Sequence, residues 1–339
     1  MRRGIFKRMC GLLGALFLSL VVLGTGAWGV LALWFFDDAS AALRGTLAAA
    51  FALVTCATLA ALLSGRWRRR ALAVFAAALT LLLVYWFRLS PTNDRNWQPE
   101  VAVLPYATFD GEQVTVHNIR NFDYRTENDF TVGYYDKTFD LRKLDSVDLV
   151  AVYWMGPKIA HIFLSFGFAG HDYLAISIEA RKPAGEGFST LKGFFRQYEL
   201  YFVVADERDV IRVRTNYRMN PPEETHLYRL RGDRADARRL FLAYLGQINA
   251  LRERPEFYNS LTTNCTTNIW MLARVNPDHP PFSWKILVSG YLPEYLFEMG
   301  RIDSSLPFAQ LQQRSIINSR ARAADQAADF SQRIRESQP

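Results

Sequence analysis

Cysteine is scarce in this chain: there are three in 339 residues, and two of them, Cys10 and Cys56, lie in long apolar stretches. Cys265 stands alone in the remainder, so no disulfide framework forms there. Histidine numbers five, and no close set of His, Cys and carboxylate residues has the spacing of metal ligands. No glycine-rich phosphate loop is present either, so neither a metal nor an organic cofactor is expected. Charge is nearly absent from three runs in the first 88 positions. Residues 1–88 carry ten Lys/Arg against two Asp/Glu, and the rest carries thirty against thirty-one. The formal charge of +7 therefore belongs to the N-terminal part, and no nucleic-acid footprint remains.

The three runs span residues 9–36, 41–64 and 71–87, each long enough to cross a hydrocarbon core of about 30 Å. The first follows Arg2, Arg3, Lys7 and Arg8, as a signal peptide would. It is too long for one, ends in Trp34-Phe35-Phe36 rather than a small-residue cleavage site, and is followed by two more spans. Arg66, Arg68, Arg69 and Arg70 lie between the second and third runs, and Asp37 and Asp38 between the first and second. With only Arg44 and Arg88 opposing, the basic flanks predict a multi-pass protein of the bacterial inner-membrane type. Its N-terminus is cytoplasmic, and the third span delivers the remainder to the periplasmic side. Trp34, Trp67 and Trp86 sit where interfacial anchors belong.

Residues 89–106, with Pro91, Pro99 and Pro105, read as an extended tether of at most roughly 50 Å. A domain follows over 107–305, and the Ala/Gln/Arg-rich stretch 306–339 reads as a helical or weakly ordered tail. Alternating or apolar runs predict strands at 113–119, 130–135, 146–153, 200–204 and 210–213, with Asp206-Glu207-Arg208-Asp209 as a charged turn between the last two. The clearest element is a hairpin, 159–168 and 173–181, around a turn that contains Gly170. Leu240, Tyr244, Ile248 and Leu251 share one face of a helix over 234–251, and a second helix runs over 265–275 with Thr263 or Asn264 as its cap. The fold class is α+β behind a three-helix anchor.

Cys265 falls at the first turn of that second helix, where unpaired amides and the helix dipole favour a thiolate. A cysteine nucleophile also needs an imidazole to take and return its proton. His161 is the best placed, inside a hairpin strand; the alternative is a satisfied core histidine. A three-residue hairpin loop, Ala169 to His171, pairs Phe168 with Asp172 and sets His161 opposite Glu179, which would orient the ring. A shift of one residue would put Ala180 there instead, and Glu179 has Arg181 or another arginine as alternative partner.

The segments Ala160-His161-Ile162-Phe163-Leu164-Ser165-Phe166-Gly167-Phe168, Ile176-Ser177-Ile178-Glu179-Ala180-Arg181, Tyr198-Glu199-Leu200, Asp206-Glu207-Arg208-Asp209 and Thr263-Asn264-Cys265-Thr266 together resemble the Lnb N-terminal periplasmic domain family, over roughly 110–300. The resemblance implies a papain-like thiol fold in permuted order, an antiparallel sheet with packed helices in which the histidine strand precedes the cysteine helix. Its understood members look like lipoprotein N-acyltransferases. On that pattern Cys265 forms a thioester, His161 is the acid/base and Glu179 the third member, with Asn264, Thr266 and Ser177 around the substrate and oxyanion. A membrane phospholipid is the implied acyl donor and a lipoprotein amine the acceptor. A short tether keeps such a domain near the bilayer, and Phe163, Phe166, Phe168, Phe194, Phe195, Phe282 and Trp284 are either an acyl channel or ordinary core. The competing expectations are a cell-wall peptidase or amidase with a wide polar groove, and a non-catalytic scaffold with an inert Cys265.

Overall fold

The structure, a computed structural model, describes residues 2–36 and 39–336; the acidic pair Asp37-Asp38 and the last three residues lie outside them. The chain divides into two compact units, up to Pro91 and from Thr92 on.

The first unit is three helices, α1 (Arg2–Trp34), α2 (Ala41–Ser64) and α3 (Arg68–Arg88), each long and apolar enough to cross a membrane. Ser40 caps α2, its Oγ accepting from the amide of Leu43 at 3.3 Å, and Gly65 ends that helix in the left-handed region. Gly26 and Gly29 of α1 face Thr55 and Phe51 of α2 so closely that neither position has room for a Cβ. Such small-residue contacts are how apolar helices pack without help from water.

In the second unit the strands are β1 (Tyr106–Asp110), β2 (Gln113–Arg120), β3 (Asp123–Tyr124), β4 (Phe130–Thr131), β5 (Tyr134–Asp140), β6 (Leu144–Tyr153), β7 (Ala160–Phe168), β8 (Asp172–Arg181), β9 (Glu199–Ala205) and β10 (Glu224–Arg229). The helices are α4 (Thr190–Phe194), α5 (Glu207–Arg212), α6 (Arg234–Glu253), α7 (Cys265–Ala273), α8 (Trp284–Leu287), α9 (Leu292–Glu298), α10 (Phe308–Ser315), α11 (Asn318–Ala323) and α12 (Phe330–Arg333). One eight-stranded sheet runs β1-β2-β9-β8-β7-β6-β10, with β5 also paired to β2; β3 and β4 form a separate ribbon. Every pairing is antiparallel except a single parallel bridge, Arg120↔Ala205, so the sheet is mixed and the class α+β.

The sheet is covered on both faces, which is why β6, β7 and β9 are buried almost throughout and read as continuous apolar runs. One face packs against α6, α7 and α9 through Leu164, Phe166, Phe241, Tyr244, Ile269 and Leu292. The other takes Trp97, Val101, Ile211, Ile317, Phe330 and Ile334 against Val152, Phe163 and Val203. Both segments flanking the expected domain thus join its core. Trp97 bridges to Pro183 and lies under the Arg181 guanidinium, 4.3 Å away, so residues 92–105 lie along the domain. The stretch after Ser315 is helical and packed.

The hairpin loop is Ala169-Gly170-His171, with Phe168 opposite Asp172; Ala169 and Gly170 take positive φ, which glycine adopts freely. The strand expected at 210–213 is instead helix: α5 continues into a five-residue π turn, Val213–Tyr217. Asp206 is the reason, since its Oδ1 accepts from the Arg208 amide at 2.9 Å and starts a helix where a charged turn was expected. Four residues, Val210-Ile211-Arg212-Val213, fit either period. Asp209 then becomes a buried partner of Arg120, with Nε–Oδ2 at 3.0 Å and Nη2–Oδ1 at 2.7 Å.

Phe330 is fully buried, so Phe330→Ala should destabilise this domain by about 3–5 kcal/mol in denaturant unfolding. An effect below 1 kcal/mol would mean that the C-terminal segment is not part of its core.

Candidate active site

Cys265 opens α7 because Asn264 ends the preceding chain in an extended conformation and caps the helix. The Asn264 Oδ1 accepts from the Thr267 amide at 2.9 Å and from the Thr267 hydroxyl at 3.0 Å, while its Nδ2 donates to the Ser260 carbonyl at 2.9 Å. The amides of Cys265 and Thr266 remain at the open end of the helix, the position where a helix presents unpaired donors. The Thr266 hydroxyl is buried and donates to the Ile286 carbonyl at 2.6 Å, which ties α7 to α8.

The thiol meets the sheet where two strands part. The β7–β8 pairing stops at Leu164↔Ile176, yet β7 stays with β6 as far as Ala160 and β8 with β9 as far as Arg181. The start of α7 faces this split, and the Ile162 backbone amide and the His161 ring both act on the Cys265 sulfur in favour of its thiolate. Beyond the last paired residues the same register still sets His161 beside Glu179, Nε2 to Oε1 at 3.1 Å. Ser177 lies between them, its Oγ 2.7 Å from Nε2 and donating to Glu179 Oε1 at 2.9 Å. With Nε2 so engaged, Nδ1 is the ring nitrogen left for the thiol.

Glu179 has a second cationic partner, Arg214, whose Nη2 is 3.1 Å from Oε1. Sequence reasoning missed this residue: it belongs to the π turn that follows α5, beyond a segment expected as strand. Arg181, the sequence alternative, is spent elsewhere, on the carbonyls of Val101 and Ala102 at 2.9 and 2.8 Å.

Withdrawal from water works against charge on all three groups, lowering the imidazole pKa and raising those of the thiol and carboxyl; their mutual attraction wins. Glu179 lifts His161 to about 9, against an opposing push from Arg214. His161, then Arg214 and Ser177, hold the Glu179 carboxyl well below its ordinary value. The hydrogen bond and charge of His161, with the Ile162 amide, bring the thiol below its usual value although Glu179 opposes. Both shifts push the same way, towards a thiolate beside an imidazolium.

The other histidines lie apart from the thiol. His117 pairs with Asp136 at 2.7 Å, His226 with Glu224 at 2.9 Å, His171 is exposed in the hairpin turn, and His279 is bonded to the Asn276 carbonyl. Among the described residues no three His, Cys, Asp or Glu side chains are grouped as metal ligands. Phe163, Phe166, Phe168 and Phe195 are buried core, whereas Phe194, Phe282 and Trp284 are exposed. A mostly apolar cavity of about 170 Å³ lies instead along α7, between Leu149, Leu164, Leu240, Ile269 and Leu292, with Thr266 also in its wall and Arg229, Arg231 and Arg301 among its polar lining.

Fold and site together define a class: an α+β domain, attached to three apolar helices of membrane length, with a helix-start thiol, a strand imidazole and a carboxylate on the neighbouring strand. The family model described as the Lnb N-terminal periplasmic domain matches residues 131–290, the family that the sequence motifs resemble. This stretch contains His161, Ser177, Glu179, Arg214 and Cys265, and the description of the family it matches is that of a periplasmic domain. No curated protein and no solved structure matches the chain.

Iodoacetate should alkylate Cys265 with a bell-shaped pH profile. The rate rises as the thiol ionises, below its ordinary pKa, and falls as His161 loses its proton around 9, because the anionic reagent is drawn by the imidazolium. His161→Gln should remove the bell. A monotonic rise centred on an ordinary thiol pKa in the unmodified protein would contradict the ion pair.

Proposed function

We propose that this protein is a membrane-anchored thiol acyltransferase that moves an acyl chain from a phospholipid ester to the N-terminal amine of a lipoprotein. The observation that carries the reading is the Cys265–His161–Glu179 constellation at the start of α7. The Cys265 thiolate attacks the ester carbonyl carbon, a C–S bond forms, and the carbonyl electron pair moves to oxygen. The amides of Cys265 and Thr266 receive that oxyanion. Collapse breaks the C–O bond, and the His161 imidazolium gives its proton to the departing lysophospholipid oxygen. The acceptor amine then attacks the thioester, His161 takes the amine proton, and C–S cleavage regenerates the thiolate. Glu179 holds the ring and stabilises its charged form throughout.

The surroundings of the thiol favour lipid over muropeptide. Leu191 and Phe194 of α4 and Leu261 are exposed on one side of it, α4 being joined to the 260 region by a bond of 2.7 Å from the Ser260 hydroxyl to the Thr190 carbonyl. Trp284 and Leu287 of α8 are exposed on the side where Thr266 bonds Ile286. Exposed apolar side chains grouped around a reactive group suit a lipid surface, whereas a peptidase calls for a polar groove. The basic residues flanking the first and second spans support a cytoplasmic N-terminus and a periplasmic domain.

With phospholipid vesicles and a lipopeptide bearing a free N-terminal amine, Cys265→Ala should abolish transfer and His161→Gln should slow it about 10²–10⁴-fold. Trp284→Glu combined with Leu191→Glu should slow transfer from vesicles at least tenfold, by the scale of two buried apolar side chains, while leaving alkylation of Cys265 unchanged. Transfer by Cys265→Ala at the unmodified rate would overturn the reading.

A further inference from the structure

Arg214 reaches the candidate site from a backbone segment that the strands of the sheet do not fix. Its guanidinium spans two carboxylates, with Nη2 3.1 Å from Glu179 Oε1 and Nη1 3.4 Å from Glu223 Oε2, and it stands over the Phe163 ring at 5.8 Å. The segment that carries it is the π turn Val213–Tyr217, closed by a 2.9 Å bond from the Arg218 amide to the Val213 carbonyl. A π turn is a rare conformation that occurs mostly as single widened turns at functional sites. Here the C-terminal segment grips it. Asn216 Nδ2 donates to Asp325 Oδ1 at 2.6 Å, the Tyr217 hydroxyl to Asp325 Oδ2 at 3.2 Å, and Arg212 Nη1 to the Asp325 carbonyl at 3.1 Å. Arg322 Nε donates to the Thr215 carbonyl at 3.2 Å. Asn318 holds the chain where the second carboxylate leads into β10, donating to the Glu223 carbonyl at 2.9 Å and accepting from the Thr225 amide at 2.8 Å. The turn that carries Arg214 and the Glu223 segment that Arg214 touches are thus both held by residues 318–325, which lie beyond the stretch that the family model matches.

We propose that Arg214 acts on His161 through the Glu179 carboxylate that both cations share, drawing part of its charge from the ring, and that the C-terminal segment, acting through Asp325, holds Arg214 in place. The inference rests on the thiol reading above, because the pair matters only if it serves Cys265. The groups facing His161 are Glu179 from β8, Cys265 from α7 and Arg214 from the π turn. Arg218 and Tyr258 also bear on Glu179, and Tyr244 and Tyr258 on Cys265. Among those facing the imidazole, Arg214 is the cation that opposes its positive charge. When Arg214 is gone, Glu179 keeps His161 and Ser177 as partners, so it stays beside the ring while more of its charge is available to the imidazolium. The ring then holds its proton to higher pH.

The test is the iodoacetate profile of Cys265 in the full chain, which needs no lipid substrate. Arg214→Gln should move the alkaline fall up by about half a pH unit or more, the scale on which a neighbouring charge acts. Asp325→Ala, at a partly exposed position, should move it in the same direction by less, and Arg214→Lys should restore most of the unmodified profile. Circular dichroism and thermal unfolding establish that each variant is folded. An alkaline fall unmoved in folded Arg214→Gln overturns the proposal alone. A fall that moves in Arg214→Gln but not in Asp325→Ala overturns the part assigned to the C-terminal segment. No alkaline fall in the unmodified protein removes the thiol–imidazole reading and the proposal with it.

Discussion

The Glu179 carboxylate is the interaction on which the rest of this site depends. A charge drawn back from water is costly unless partners replace its hydration. Glu179 has three: the His161 ring, the Ser177 hydroxyl and the Arg214 guanidinium. Each comes from a different structural decision. The hairpin register brings His161, the local sequence of β8 brings Ser177, and the widened turn after α5 brings Arg214. The consequence runs outward to the thiol, because a charged imidazole is what makes a thiolate favourable at the start of α7.

The second constraint is the parting of β7 from β8. A fully paired sheet would leave α7 stacked on one face, with His161 and Glu179 directed to the opposite one. Because the pairing ends at Leu164↔Ile176, the helix start faces the split, where the Ile162 amide and the His161 ring act on the thiol. The helix that carries the thiol is therefore fixed by its cap and by the sheet at once, which leaves the thiol half-buried rather than sealed in the core.

Much of this was legible in the residues. Ala169-Gly170-His171 as a three-residue loop fixes which side chains stand opposite along the whole hairpin, and it does bring His161 to Glu179. Asn264 before Cys265 marks a helix start, and it is the cap. The same logic failed where elements are short or irregular. Val210 to Val213 fits helix and strand equally, and Asp206 decided for helix. Arg214 had no local signal, because a π turn sets its direction and the partners of that turn lie about a hundred residues further along. Residues 92–105 read as an extended tether and the C-terminal segment as a helical or weakly ordered tail, yet a few side chains, Trp97, Val101, Phe330 and Ile334, carry them into the core. Asn264 and Thr266, expected around the substrate, have their side chains engaged within the fold, one capping α7 and the other holding α8.

The most direct measurement is the intact mass of the purified full chain after incubation with phospholipid vesicles, before and after hydroxylamine. The account predicts one added acyl mass that hydroxylamine removes and that is absent from Cys265→Ser. A protein whose Cys265 is readily alkylated but which never gains an acyl mass would contradict it.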